Sequence, residues 1–146
     1  MIDQRTAPYA ALLLRVSLGV MFIAHGLLLK VLTFTVPGTV GYFESLGYPG
    51  FFAYLVILGE IGGGLALILG TWTRVVSILL LPIMIGATLQ HVGAGWMFSN
   101  AGGGWEFPVF WIVALVVQAL LGNGAWALKV EDLFTGFAPA RGQAAR

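Results

Sequence analysis

The segment Phe51–Gly70, FFAYLVILGEIGGGLALILG, constrains this chain more than any other. It matches the roughly 20 apolar residues an α-helix needs to cross a bilayer. It also carries Glu60 near its middle, among Gly59, Gly62, Gly63 and Gly64. An acid at such depth costs roughly 2.5–3.5 kcal/mol on insertion scales, so it must face other protein or a water-filled cavity. Gly59 and Gly63 make a G-x-x-x-G pair, which admits a close helix neighbour. The segment predicts a helix that delivers a carboxylate into a tight membrane bundle, with other polar residues gathered around it.

Composition points the same way. Of the 146 residues, 59% are hydrophobic and 9% are charged, against about 25% charged in a soluble domain. The length suits a single domain, residues 1–146. A net charge of +1 without a basic stripe argues against nucleic-acid binding. The lack of cysteine excludes disulfides, thiolate chemistry and cysteine-held clusters or zinc. The first apolar run carries Arg15 and His25 and shows no clear cleavage site, so it reads as a retained helix rather than a signal peptide.

Four spans are expected, at about 8–32, 51–70, 75–92 and 106–121. Pro37-Gly38 and Tyr48-Pro49-Gly50 break the chain between the first two, leaving room for a short interfacial helix over 39–46. Pro82 is a candidate kink in the third span, and Gly93–Trp105 is a glycine-rich aromatic loop. Trp126, Leu128, Leu133 and Phe134 suit an interface, and Ala138–Arg146 a frayed end. A β-barrel would need alternating segments of about ten residues, so the fold class is an all-α, integral membrane four-helix bundle. Arg5, Arg74, Lys129, Arg141 and Arg146 fall on one face and only Lys30 on the other. The positive-inside rule then places both termini in the cytoplasm.

That topology sends ionisable groups from all four spans toward the outer side: His25 and Lys30, Glu60, His91 with Gln90, and Glu106. Arg15 lies deeper inward, near the depth of Gln118. Each has a plainer reading. Glu60 can pair with Lys30 or Arg15; Lys30 more readily snorkels to the surface; His91 and Glu106 can cap helix ends; Trp96, Trp105, Trp111 and Trp126 fit an interfacial belt. Two histidines and two glutamates suit zinc or iron by ligand type, but no H-E-x-x-H or E-x-x-H spacing joins them, and no metal site is assigned. Histidine and a desolvated glutamate beside an aromatic cavity would also suit proton exchange with a quinone. These residues permit such a site without selecting it.

Several segments resemble the DoxX family of small membrane proteins. They are Leu14-Arg15, Phe22-Ile23-Ala24-His25-Gly26 with Lys30, Phe43-Glu44-Ser45-Leu46-Gly47-Tyr48-Pro49, Gly59-Glu60-Ile61-Gly62-Gly63-Gly64, Gly70-Thr71-Trp72-Thr73-Arg74, His91 and Gly103-Gly104-Trp105-Glu106-Phe107-Pro108. The likeness runs over about Leu12–Leu133. It implies a bacterial inner-membrane protein related to a subunit of thiosulfate:quinone oxidoreductase. It also places Arg15, His25, Lys30, Glu60, Arg74, His91 and Glu106 at the family's polar positions. The expected function is a quinone-facing oxidoreductase subunit. Glu60 and His25 would be its catalytic core, and Arg15, Lys30, His91 and Glu106 its substrate-binding groups. No intrinsic cofactor is expected; quinone would be the substrate, and electrons would come from a redox partner protein or from the reductant itself. The rivals are a non-catalytic scaffold for a redox enzyme and, less well supported, a small-molecule or ion carrier whose pathway a homo-oligomer could supply.

Overall fold

The computed structural model describes residues 3–128. Lys129, Leu133, Phe134, Arg141 and Arg146, used above for orientation and for the interfacial tail, lie outside the described residues. Among the described residues the fold is all helical, with no strand. Helix α1 spans Ala7–Ile23 and runs without a break into a π-helical stretch, Ala24–Thr33. Helix α2 covers Val36–Ser45, α3 Phe51–Leu69, α4 Thr73–His91 and α5 Glu106–Leu121.

Three of these are long and apolar enough to cross a membrane: Ala7–Thr33, Phe51–Leu69 and Thr73–Ala94. The 19 residues of α3 cover roughly 28 Å at 1.5 Å per residue, close to the hydrocarbon thickness of about 30 Å. With 16 residues α5 reaches only about 24 Å, shorter than the other three. Helix α4 passes through Pro82 as one element. The short helix begins three residues before its expected start, because Thr35 caps it: its side chain accepts from the Gly38 amide at 3.3 Å.

Helix α1 packs chiefly on α3, and α4 on α5, with lighter α3–α4 and α1–α5 contacts closing the bundle. One end gathers the start of α1, the end of α3, the start of α4 and the end of α5; it is called the terminus end here. The other, holding the π-helical stretch, α2 and the 92–105 loop, is the loop end. The two ends are joined by a core of Leu18, Phe22, Leu67, Leu80, Met84, Trp111, Ala114 and Leu115. Outside, the pattern of a water-soluble protein is inverted. Leu13, Leu58, Leu79, Phe110 and Leu120 are exposed, while Arg15, Thr39, Glu60, Thr73, Ser77 and Gln118 are buried. Polar groups inside and greasy ones outside are what a hydrocarbon solvent demands.

Glycines set the closest approaches. A Cβ on Gly19 would lie 2.6 Å from the Gly64 carbonyl oxygen, and one on Gly64 would lie 2.8 Å from that of Gly19. Backbone therefore meets backbone between α1 and α3. The G-x-x-x-G pair serves the other neighbour: Gly59 and Gly63 receive Ile83 and Leu80 of α4.

Candidate functional site

Glu60 sits on the α1-facing side of α3, 4% exposed. It can come so close because Gly26 has no side chain: a Cβ there would meet the Glu60 Cβ at 2.9 Å. The π-helical stretch then supplies the partner. Its i→i+5 bonding widens each turn, as in Phe34 N–H donating to Leu29 O at 2.8 Å. Lys30, one wide turn beyond Gly26, projects to the same side. Its Nζ donates to Glu60 Oε1 at 2.8 Å and lies 2.8 Å from Oε2. Only the Oε1 contact has hydrogen-bond geometry; Oε2 is left without a bonded donor. The Lys30 side chain is 21% exposed, so it does not snorkel away as expected from sequence. A carboxylate two turns into an apolar helix is the stronger claim on it. Thr39 of α2 fixes the same turn by donating its hydroxyl to Lys30 O at 2.9 Å.

His25 precedes the contact residue Gly26. Its Nδ1 lies 2.9 Å from Met21 O, and a carbonyl can only accept, so Nδ1 carries a proton. In the neutral ring Nε2 is then a bare acceptor, and no protein donor reaches it among the described residues. The imidazole stands edge-on to Trp111 of α5, with ring centroids 5.0 Å apart. Trp111 also touches Phe22 at 4.7 Å and Phe107 at 5.8 Å. It is 3% exposed, its indole N–H has no partner, and it belongs to the core rather than to an interfacial belt. The sequence held only a faint signal for this: Trp111 lies about one turn inside α5, deeper than a belt residue.

The remaining site residues go elsewhere. Arg15 does not approach Glu60; it is fully buried at the terminus end. Its Nη1 donates to Leu67 O at 3.1 Å and Ile68 O at 2.9 Å, and its Nη2 to Ala125 O at 2.8 Å. A guanidinium there satisfies the free Ile68 carbonyl, adds a second donor to Leu67 O beside the Gly70 amide, and meets the negative end of that helix. Gly70 makes room for it: with φ at 77° it takes a left-handed turn, and a Cβ would collide with the guanidinium.

His91 and Glu106 bind their own loop instead of joining Glu60. His91 Nδ1 donates to Gly102 O and Gly103 O, both at 3.0 Å, and Glu106 Oε1 accepts from the Phe98 amide at 2.8 Å. With Trp105 N–H on Gly95 O at 3.0 Å and Trp96 packed on Trp105 at 4.5 Å, the glycine-rich loop is a built element. Beside it an open groove of about 560 Å³ runs along α5, lined by Trp96, Phe98, Glu106, Phe107 and Phe110. Among the described residues no three His, Asp or Glu side chains come together in a metal-holding group.

The structure therefore pairs Lys30 with Glu60 and His25 with Trp111, both near the loop end, leaves His91 and Glu106 on the loop, and sends Arg15 to the opposite end. Residues 10–96 match the DoxX family model. The chain belongs to the DoxX family. It is 34% identical over 117 residues to a Bacillus subtilis (strain 168) protein named "Putative oxidoreductase CatD", covering 80% of this chain and 82% of that one. It is also 51% identical over 41 residues to the "Inner membrane protein YqjF" of Escherichia coli (strain K12), covering 28% of this chain and 32% of that one. No solved structure matches it. This chain is thus a DoxX-family membrane protein with a relative named as an oxidoreductase.

Proposed function

We propose that this DoxX protein is the quinone-facing membrane subunit of an oxidoreductase, in a bacterial inner membrane, with α5 as the fourth span and both termini in the cytoplasm. The observation that carries the reading is the presence of free hydrogen-bonding groups near the loop end: the bare Nε2 of His25 and the unpartnered indole N–H of Trp111, at the same end of the bundle as the Lys30–Glu60 pair. A quinone presents carbonyl oxygens that accept, and the quinol presents hydroxyls that donate. Trp111 N–H and Lys30 Nζ suit the first, and His25 Nε2 and the Glu60 carboxylate suit the second. Reducing a quinone to a quinol takes two electrons and two protons. In this scheme a partner protein or the reductant gives the electrons, while His25 and Glu60 exchange the protons. The relative named as an oxidoreductase supports the same reading.

The test is binding and turnover of a short-chain quinone by the full chain in nanodiscs, alone and with its natural partner. Quenching of the tryptophan fluorescence that is lost in a Trp111→Phe control reports binding, and His25→Leu should weaken it at least tenfold while the protein stays folded. Absence of quinone binding and of quinone-dependent activity in both preparations would defeat the proposal. A scaffold role is the second reading, favoured by the fact that Lys30 and Glu60 already staple α1 to α3. It predicts that Glu60→Gln loses partner assembly and keeps activity in whatever complex still forms.

A further inference from the structure

The terminus end holds a second polar cluster that the proposed chemistry does not use. Arg15 of α1, Thr73 and Ser77 of α4, and Gln118 of α5 are each fully buried, at 0% exposure. Each retains a polar atom without a partner: Arg15 Nε, Thr73 Oγ1, Ser77 Oγ and Gln118 Oε1. Buried orphans of this kind are rare, and four at one end of a small bundle call for a ligand.

All four lie at the same end of the bundle. The Arg15 guanidinium lies on the last turn of α3 and against Gly70, three residues before Thr73. Thr73 and Ser77 are four apart on α4 and share a helix face. The end of α5 closes over them: Gln118 Nε2 donates to Gly122 O at 2.8 Å, and Arg15 Nη2 reaches Ala125 O just beyond. The Gly122 carbonyl also fixes the Gln118 amide, because Nε2 must face that acceptor and Oε1 must face away.

We propose that these four side chains enclose a site for a small cluster of ordered water. The donor set selects the ligand. Arg15 Nε only donates, Gln118 Oε1 only accepts, and the two hydroxyls do either. A metal ion would be repelled by the guanidinium, and an anion would meet the Gln118 carbonyl oxygen. Water satisfies all four at once and makes the two to four bonds it needs. A surface notch of about 410 Å³, lined by Trp72, Arg74, Val75, Leu121, Gly122 and Asn123, includes the residue whose carbonyl holds Gln118. The water completes the bonding of Arg15, and through Arg15 it links α1, the end of α3 and the chain after α5.

The sign of a stability change tests this in the full chain in nanodiscs. With water bound to the hydroxyls, Ser77→Ala and Thr73→Val each lower Tm by about 2–4 °C. In a dry core, deleting an orphaned hydroxyl leaves Tm unchanged or raises it, and either result overturns the proposal. A high-resolution structure of the same protein gives the second readout. Density bridging Arg15 Nε and Gln118 Oε1 is expected. Direct contact between those atoms, or an anomalous signal at the site after bromide soaking, contradicts it.

Discussion

Among the described residues, each end of the bundle draws one cation inward, Arg15 fully buried and Lys30 partly, and the two are used in opposite ways. At the terminus end, Arg15 has backbone carbonyls for partners and helps to finish a helix. At the loop end, Lys30 faces a titratable carboxylate, and the same end holds a histidine nitrogen and an indole N–H with no partner. Guanidinium, always charged and planar, suits a permanent cap on several carbonyls. Ammonium opposite carboxylate is a pair whose charges can be altered by a proton, so it suits chemistry. Between them lies an apolar layer that includes Leu18, Phe22, Leu67, Leu80 and Leu115, each no more than 2% exposed. Such a layer favours two separate polar sites over one polar path across the bundle.

The contrast can be broken most forcefully at Arg15. Arg15→Met strips the Ile68 and Ala125 carbonyls of their donor and Leu67 O of its second one, so it should cost about 3–5 kcal/mol and lower Tm sharply. Any loss of function should track the loss of folded protein. Next in size is Lys30→Met, at about 3 kcal/mol, because it leaves Glu60 buried without a counter-charge. Pairing it with Glu60→Leu should recover part of that loss, which denaturant or thermal unfolding of the double-mutant cycle would measure. Gly64→Leu should cost about 1–3 kcal/mol by forcing α1 and α3 apart at Gly19, read as lower Tm and weaker protection of both helices from hydrogen exchange. Glu106→Ala should cost only about 1 kcal/mol and speed proteolysis within the 92–105 loop, while leaving quinone binding near the wild-type level.

Much of this fold was legible, because hydropathy reports what lipid requires: the three long helices fall within a few residues of their expected limits. Glu60 stood out for the same reason, and its pairing with Lys30 was one of two arrangements the sequence left open. What stayed hidden was direction. Arg15 and Glu60 looked like possible partners on charge alone, yet they lie at opposite ends of the core. His91 and Glu106 sit at a fitting depth but turn into their own loop, whose backbone offers nearer partners. The π-helical stretch that carries Lys30 has no residue signature in the sequence. The Gly19–Gly64 contact escaped notice because each glycine has its partner on another helix.

The central claim is that the loop-end polar group performs chemistry while the terminus-end cluster holds the architecture. Glu60→Gln tests it most directly, because the amide keeps the shape and an acceptor for Lys30 but cannot exchange a proton in the same way. Turnover with a short-chain quinone should be measured beside Tm, with the natural partner present in nanodiscs. The account predicts at least a tenfold loss of turnover with the complex assembled and Tm within a few degrees of wild type. Full turnover in the assembled Glu60→Gln complex would contradict it.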